Sequence, residues 1–276
     1  MRGLRCPLCA TPLTCDARDW HCPSGHHFDV AREGYVNLLP VQQKKSRAPG
    51  DSPESLRSRR DFLEGGHYQP LRDAVVDLLR PLAIDHLLDI GCGEGYYTQA
   101  LGGIAREVIG IDIAKPGIQL AARRHRDMTW LVASAAALPL EDASQDAVTS
   151  LFSPLPAAEI ARVLRPGGHL LAVTPAPDHL WQLREALFGE VRAHVPDKFL
   201  AAFEQDFVLQ QRVEVRAPLQ LDQAALGHLV RMTPYAWKAT PARRDDVLAR
   251  AGFATEAAFS VLLWRRFEKD EKELGA

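Results

Sequence analysis

The N-terminal segment 6–28 concentrates side chains that bind metal ions. Cys6 and Cys9 form a C-x2-C pair, and Cys22 and His26 follow at C-x3-H spacing. Three thiolates and one imidazole are a ligand set that zinc takes in tetrahedral structural sites. Four protein ligands leave no position for water, so the pattern predicts a structural zinc ion rather than a catalytic one. A segment of about 35 residues buries little apolar surface, and the metal would substitute for a hydrophobic core.

The identity of the fourth zinc ligand is open at the level of sequence. His27 is adjacent to His26, and His21 stands earlier in the same segment. Cys15 lies inside the loop, but it sits at no paired spacing and is interpreted as a bystander. The spacing favours His26 as the fourth ligand.

A glycine-rich loop forms the second candidate site. The stretch LLDIGCGEGYYT (87–98) reads as an apolar strand ending near Asp89, a turn and the start of a helix. The turn contains three glycines, Gly91, Gly93 and Gly95. Glycine allows a tight turn and a close approach of the backbone to a ligand. Dinucleotide enzymes share such loops, so the loop alone indicates a nucleotide-containing cofactor without identifying it.

Asp112 is the candidate ribose ligand. It stands near the end of the next apolar run, EVIGIDI (107–113), 21 residues after Gly91. An acidic side chain at this place can bind both hydroxyls of a ribose. The DIGCGEG form of the loop resembles class I S-adenosylmethionine-dependent methyltransferases more than NAD enzymes. That resemblance implies that Asp89 orients the loop and approaches the methionine end of the cofactor.

These motifs need a sheet that brings the carboxyl ends of several strands together. Apolar runs at 128–135, 146–153 and 169–177 read as further strands, separated by helical segments. The alternation predicts an α/β fold with a Rossmann-like, doubly wound parallel sheet. Ligands of such sheets bind at the carboxyl ends of the strands, here where the first and fourth strands adjoin.

The remaining segments complete the predicted fold. Residues 157–168 read as a helix that ends at Pro-Gly-Gly, a structural turn typical of class I methyltransferases. Residues 207–221 and 254–268 read as the two strands of an antiparallel hairpin that closes the sheet. The stretch 222–232 between them has helical spacing.

The composition bounds the class of protein. The chain has 276 residues, of which 46% are hydrophobic, and this size suits one large domain or a domain with a small appendage. Apolar runs are far shorter than the roughly 20 residues of a membrane span, and the N-terminus lacks the apolar core of a signal peptide. We therefore expect a cytoplasmic protein with no membrane partner, in which the five cysteines stay reduced.

The charge is distributed unevenly along the chain. Residues 1–60 carry ten Lys and Arg against six Asp and Glu, whereas the remaining residues carry 23 against 29. A basic N-terminal part on an acidic body indicates that an anionic partner is met at the N-terminus. The candidate phosphate contacts are six cations after the cysteine-containing segment: Lys44, Lys45, Arg47, Arg57, Arg59 and Arg60.

The order of these motifs closely resembles the bacterial 23S rRNA (guanine-N1)-methyltransferases. The blocks that carry the resemblance are the Cys3His pattern, FDVAREGYVNLLPVQQKKSRAPGDS (28–52), GHYQPLRD (66–73), LLDIGCGEGYYT, TPAPDHLWQL (174–183) and MTPYAW (232–237). They span nearly the whole chain. NLLPVQQKKSRAPGD resembles the Gram-negative branch rather than the actinobacterial branch that is linked to macrolide resistance. The resemblance implies methyl transfer from S-adenosylmethionine to N1 of a guanine in a domain II hairpin of 23S rRNA.

The resemblance also implies a residue set for each ligand. The implied zinc ligands are Cys6, Cys9, Cys22 and His26. The implied cofactor contacts are Tyr68, Asp89, Gly91, Gly93, Glu94, Gly95, Tyr97, Thr98, Asp112 and His179. Many class I methyltransferases bind the adenine amino group with an aspartate where this chain has Ala133-Ser134, and the Ser134 hydroxyl or the backbone would bind it more weakly. In the family the finger helps to recognise rRNA, and the family suggests a homodimer.

We divide the chain into three regions. Residues 1–36 are predicted to form a zinc-binding RNA-recognition domain, residues 37–70 a basic linker that covers the cofactor, and residues 71–276 the methyltransferase domain.

The target pocket is only partly predicted. Neutral guanine N1 carries a proton, and the sequence does not identify the group that removes it, since LFSPLP (151–156) contains no carboxylate. Ser153 and Pro154 are expected to shape the pocket through their backbone. Tyr235 or Trp237 would stack on the target guanine, or alternatively pack in the core. A small-molecule methyltransferase of the quinone type is the competing interpretation, although it would need no metal finger followed by a basic stretch.

Overall fold

The computed structural model describes residues 3–43, 49–195 and 200–268. Within these residues a small antiparallel sheet lies at the N-terminus and an eight-stranded mixed sheet forms the body, with helices packed on it. The predicted α/β fold is confirmed. The predicted RNA contacts Lys44, Lys45 and Arg47 lie outside the described residues. None of the described helices is long and apolar enough to cross a membrane.

Strands and helices alternate over much of the chain after the N-terminal strands. Their bounds are β1 (Thr14–Cys15), β2 (Asp19–His21), β3 (His27–Asp29), β4 (Tyr35–Asn37), α1 (Pro53–Glu64), α2 (Gln69–Leu79), β5 (His86–Ile90), α3 (Tyr96–Leu101), β6 (Glu107–Asp112), α4 (Lys115–Arg124), β7 (Thr129–Val132), β8 (Gln145–Leu151), α5 (Ala157–Val163), β9 (Leu164–Pro175), α6 (Trp181–Phe188), β10 (Phe207–Asp222), α7 (Gln223–Met232), α8 (Tyr235–Lys238), α9 (Pro241–Leu248) and β11 (Gly252–Arg266).

The strand order of the large sheet is β10-β11-β9-β8-β5-β6-β7-β4. The strands from β9 to β4 run parallel, whereas β11 pairs antiparallel with both β9 and β10. The predicted closing hairpin is therefore confirmed. The adjacency of β5 and β8, the first and fourth predicted strands, is confirmed as well. It produces the crevice at their carboxyl ends in which such sheets bind ligands.

The helix predicted up to Pro-Gly-Gly ends earlier than expected. Helix α5 ends at Val163 and β9 begins at Leu164, and residues 165–168 form an irregular turn within β9, with φ of 70° at Gly167. Proline disfavours the helical conformation of the residue before it, so the helix cannot continue through Arg165. The strand predicted at 146–153 also ends earlier, at Leu151, because Phe152 adopts a left-handed backbone with φ of 57°.

The N-terminal ribbon, which we define as β1, β2 and β3, is joined to the large sheet through β4. This strand was not predicted, and it pairs in parallel with β7, with Val36 opposite Leu131. Trp20 of the ribbon and Leu4 belong to the same buried cluster as Val36 and Leu131. The ribbon and the sheet thus share one hydrophobic core. The domain boundary after residue 36 stays a prediction, and this position falls inside β4.

Candidate cofactor and metal sites

Four side chains of the ribbon converge on one point. The ligand atoms of Cys6, Cys9, Cys22 and His26 all lie within 4.8 Å of one another. His26 Nδ1 lies 3.5 Å from the sulfur of Cys6 and 3.3 Å from that of Cys22, and the sulfurs of Cys9 and Cys22 are 3.6 Å apart. Tetrahedral zinc, with bonds of about 2.0–2.3 Å, holds such atoms about 3.5–3.8 Å apart. The donor set therefore fits a structural zinc ion.

The alternative fourth ligands lie away from this point. His27 Nδ1 is 2.7 Å from Asp19 Oδ2, and His21 stacks on the His27 ring at 5.6 Å. Cys15 directs its sulfur toward the Leu13 carbonyl oxygen instead of the cluster. The Thr11 hydroxyl, 3.1 Å from the Cys9 sulfur, lowers the pKa of that thiol to about 5, which favours the thiolate form that zinc binds.

The glycine loop lies between β5 and α3, over the carboxyl end of the sheet. Its three glycines all have positive φ angles: 72° at Gly91, 57° at Gly93 and 87° at Gly95. A Cβ atom on Gly91 would lie 2.0 Å from the Ser153 hydroxyl, and one on Gly95 would lie 2.8 Å from the Trp130 ring. Side chains at these positions would therefore be both strained and blocked.

Asp112 ties the loop to the end of β6. Its Oδ2 accepts a hydrogen bond from the Gly93 backbone N–H at 2.9 Å, and its Oδ1 accepts one from the Ala114 N–H at 2.7 Å. Burial raises the pKa of this carboxyl above its ordinary value. Each oxygen keeps acceptor capacity for a further donor. The side chain is thus held beside the loop in a position from which it can accept ribose hydroxyls.

Asp89 lies deeper, under the loop. It is 2% exposed, and its two oxygens accept hydrogen bonds from the hydroxyls of Thr98 at 2.6 Å and Thr149 at 2.7 Å. Burial raises the pKa of Asp89 to about 6, although both hydroxyls favour the ionised form. Sequence reasoning assigned Thr98 to the cofactor, whereas the structure shows its hydroxyl on Asp89. Sequence reasoning missed Thr149, because nothing in the local pattern of β8 indicates that this residue binds Asp89.

A charged cluster covers the middle of the loop. Glu94 is 4% exposed, and its Oε2 has no hydrogen-bond partner among the described residues. A guanidinium nitrogen of Arg59, in α1, lies 3.5 Å from where a Cβ on Gly93 would stand, and Arg59 forms an ion pair with Asp51. With Asp112 also nearby, the acids outnumber this arginine. S-adenosylmethionine carries a sulfonium and an ammonium against one carboxylate, so the cluster suits a cofactor of net positive charge.

Tyr68 and His179 lie together in a buried aromatic cluster. Tyr68 packs edge-on against Phe259 at 4.9 Å between ring centroids, and His179 lies 4.9 Å from the same ring. His179 Nδ1 is 2.8 Å from the Ala258 carbonyl oxygen. Burial lowers the pKa of His179 to about 4, so the imidazole is neutral at physiological pH. Contact of either side chain with the cofactor stays a prediction.

Two other predicted cofactor residues lie at the edges of the site. Ser134 follows β7, and its hydroxyl oxygen accepts the Ala136 N–H at 3.2 Å. Tyr97 is the second residue of α3, and its phenolic oxygen is buried without a hydrogen-bond partner in the described chain. Burial raises the pKa of Tyr97 far above its ordinary value, so this phenol stays protonated.

Phe152 lies next to the glycine loop at the end of β8, and sequence reasoning gave it no role. It directly follows β8, is 45% exposed and has a φ of 57°. A bulky residue held in this region costs on the order of 1–3 kcal/mol, which the surrounding structure must offset. Its N–H donates to the Val173 carbonyl oxygen at 3.0 Å, which fixes it to β9. The signal in the sequence was an aromatic residue at the point where the strand meets Ser-Pro.

The other predicted aromatic and basic residues divide into packed and exposed groups. Tyr235 is partly buried against Phe188, which agrees with core packing, whereas Trp237 is 67% exposed. In α1, Arg57 is exposed and Arg60 pairs with the neighbouring Asp61. Contact of these cations, or of Arg59, with RNA stays a prediction.

Comparisons with known families agree with both sites. Residues 4–47 match a zinc-ribbon family model described as RlmA, N-terminal, and residues 88–172 match one described as methyltransferase domain. The two matched segments contain the Cys3His cluster and the glycine loop, respectively.

Two relatives match most of the chain. A protein of Streptomyces fradiae named 23S rRNA (guanine(748)-N(1))-methyltransferase is 37% identical over 258 residues, or 91% of this chain and 90% of the relative. YxjB of Bacillus subtilis (strain 168), provisionally named a 23S rRNA (guanine-N(1)-)-methyltransferase, is 35% identical over 85% of this chain and 87% of its own length. The crystal structure of the B. subtilis YcgJ protein has a TM-score of 0.51 over 73% of this chain and all of that chain. Because the sequence identity to YcgJ is only 19%, this structural similarity supports the fold alone.

Proposed function

This chain belongs to the 23S rRNA (guanine-N1)-methyltransferase family, and on that premise we propose that it transfers a methyl group from S-adenosylmethionine to N1 of one guanine in a domain II hairpin of 23S rRNA. The observation that carries the proposal is the 37% identity to the S. fradiae relative over 91% of the chain. A quinone-type methyltransferase would share the sheet, but it would have no use for a ribbon and basic segment.

The cofactor supplies an electrophilic methyl group on a sulfonium. Asp112 would accept the ribose hydroxyls, since it already lies beside the loop and retains acceptor capacity. The unpartnered Glu94 oxygen provides a buried acceptor for a donor of the cofactor. These residues bind and orient. Rate enhancement then comes chiefly from alignment of the guanine nitrogen with the methyl group and sulfur, while the acceptor of the N1 proton is unassigned.

We infer that the ribbon and the cations after it bind the rRNA. Phosphate contacts by Lys and Arg position an RNA without reading its sequence. Neutralising Lys44, Lys45 and Arg47 together should weaken rRNA binding and flatten its salt dependence by about two units of log–log slope, at roughly 0.7 for each single-strand contact. Affinity measured at several salt concentrations tests this. If the triple variant and wild type have equal affinity and parallel salt plots, the RNA instead contacts Arg57, Arg59 and Arg60.

Primer extension on 23S rRNA from a strain lacking this gene tests the function. N1-methylguanine blocks the pairing edge of the base, so reverse transcriptase should stop at one guanine in wild-type rRNA and read through it in the deletion strain. The purified protein with S-adenosylmethionine should restore the stop. Read-through in both strains would contradict the proposal. The position of the stop also compares this chain with the S. fradiae relative, whose name specifies guanine 748.

Two further proposals concern the setting of the reaction. An rRNA substrate implies action in the cytoplasm, where ribosomes are assembled. We also propose a homodimer whose paired ribbons form one RNA cleft, and light scattering on the purified protein measures its mass. Membership of this chain in the Gram-negative branch of the family stays a prediction.

A further inference from the structure

We propose that the target guanine stacks on Phe152, a proposal that rests on the function given above. The ring would fix the plane of the base after the base has left its helix. Four features of this residue carry the inference: its position, its exposure, its backbone conformation and the rigidity of its surroundings.

Phe152 lies where a methyl acceptor must lie. It is the first residue after β8, and the next residue, Ser153, touches the glycine loop at Gly91. The crevice between β5 and β8 is the ligand-binding crevice of this type of sheet. A base held against the Phe152 ring would therefore lie beside the cofactor loop.

Packing within the described chain does not account for this side chain. With 45% of its surface exposed, Phe152 is among the exposed large hydrophobic residues of the described chain. Its backbone also lies in the left-handed region, with φ of 57°, which bulky residues rarely adopt. Such outliers cluster at ligand sites, where the surrounding structure holds them in place.

The surroundings hold the ring without covering it. Phe152 lies 5.5 Å from Phe259, with the two rings tilted by 57°. Phe259 is itself fully buried between Tyr68 and His179, at 4.9 Å from each. The Ser150 hydroxyl lies within 3.5 Å of the Ser153 and Pro154 carbonyl oxygens and can donate to either, which braces the turn that follows.

The chemistry of guanine suits such a surface. Every base has a π-face that stacks on an aromatic ring, and a base whose pairing edge is methylated must first leave its pair. Once the N1 proton has been removed, the lone pair on N1 lies in the plane of the ring. Stacking would therefore fix the direction of attack on the methyl group as well as the location of the base.

The test compares four substitutions at this position in single-turnover methyl transfer to a 23S rRNA transcript, with cofactor and RNA saturating. Phe152→Ala and Phe152→Leu should react about 5- to 150-fold more slowly than wild type, the range of one base–aromatic stack. Phe152→Tyr and Phe152→Trp should restore most of the rate, because they keep a stacking face. Leu209→Ala, which removes a 40% exposed apolar side chain from the edge strand β10, is the matched control and should react normally.

Two binding measurements separate stacking from a structural role. Cofactor affinity and rRNA affinity should stay within about threefold of wild type in Phe152→Ala, since other groups provide most of both. The fluorescence of a transcript with 2-aminopurine at the target position should be quenched when the transcript binds wild type, and it should be brighter when the transcript binds the alanine variant.

The outcomes are distinguishable. Wild type that methylates rRNA, together with an alanine variant of equal rate and equal fluorescence, would overturn the stacking role and leave the function intact. A rate loss in Phe152→Ala that Trp and Tyr fail to restore, or that accompanies lost cofactor affinity, would also overturn it. Wild type that methylates no rRNA guanine would reject the function and, with it, this role of Phe152.

Discussion

The two aspartates of the cofactor site differ in the groups that hold them. Asp112 accepts backbone N–H groups on one side and faces the loop, whereas Asp89 is enclosed by two threonine hydroxyls. Hydrogen bonds to ionised groups are stronger than neutral ones, and each pair of donors favours the carboxylate form. Both side chains are buried, and both pKa values are raised by desolvation. Because the two aspartates differ in position, we expect them to affect cofactor binding in different ways.

Replacing Asp112 should weaken the cofactor through its ribose. Asp112→Ala removes a charged acceptor worth about 1.5–3 kcal/mol, so cofactor affinity should fall roughly tenfold or more by calorimetry. S-adenosylhomocysteine with a 2′-deoxyribose should lose affinity for wild type and little for the variant. The affinity for rRNA should stay the same. Unchanged cofactor affinity in Asp112→Ala would show that other groups hold the ribose.

Asp89 should make cofactor binding depend on pH. The pKa of Asp89 in the folded protein, about 6, is above the ordinary value of 3.8. The contribution of Asp89 to the free energy of unfolding is therefore greatest below pH 3.8, and it is lost as pH rises through 6. The sulfonium cofactor favours the ionised carboxylate, and affinity should therefore rise about tenfold between pH 5 and pH 7.

Calorimetry over this pH range measures the effect. Asp89→Asn, which cannot ionise, should show a flat profile, and S-adenosylhomocysteine, which lacks the sulfonium charge, should respond less than the methyl donor. Equal cofactor affinity at pH 5 and pH 7 in wild type would mean that the carboxyl does not sense the sulfonium.

At the scale of elements, we expect the metal to supply much of the stability of the ribbon. Its strands contain two or three residues each, and such short pairings provide little stability by themselves. The Cys3His cluster joins the C-x2-C turn to the turn after β2. Because the unfolded chain has no preformed site, the free energy of metal binding becomes free energy of folding for this element.

Loss of one zinc ligand should therefore remove the metal and the RNA function together. Cys9→Ser should contain no zinc by elemental analysis and should not methylate rRNA, yet it should still bind S-adenosylmethionine. Cys15→Ser is the matched control, since Cys15 lies outside the cluster, and it should keep one zinc per chain. Zinc-free wild-type protein, purified without chelator, would argue against a zinc site altogether.

At the scale of the whole molecule, residues 4–38, which include the ribbon, pack on the sheet. The Arg5 N–H donates to the Pro139 carbonyl oxygen at 3.1 Å, and the Leu38 N–H donates to that of Val132 at 2.9 Å. An ion pair between Glu33 and Arg123 crosses to α4 at 2.7 Å. Since these contacts add to the shared core, unfolding of the ribbon should expose apolar surface of the sheet.

Removal of zinc should consequently lower the melting temperature of the whole protein in a single transition. Each kcal/mol lost should lower Tm by about 2–4 °C for a body of this size. Scanning calorimetry with and without chelator measures the change, and Cys9→Ser should not respond to chelator. Two separate transitions, with the larger one insensitive to chelator, would contradict the shared core.

The sequence by itself determined what depends on neighbouring residues. The C-x2-C and C-x3-H spacings, the three glycines between a strand and a helix, and the acid ending the next strand are local patterns. Each reflects a turn or a ligand geometry that a short segment imposes on itself. The parallel sheet followed from the alternation of apolar runs, since only a few topologies satisfy it.

Only the tertiary structure decided which distant groups meet. Thr149 binds Asp89 across 60 positions of chain, Arg59 crosses from α1 to the glycine loop, and β4 joins the sheet beside β7. Pro-Gly-Gly lies at an irregular point of β9, between the residues that pair with Gln145 and Ala147 of β8, and Phe152 is left exposed at the end of β8. These placements depend on packing between elements far apart in sequence, where the free energy of burial outweighs local preference.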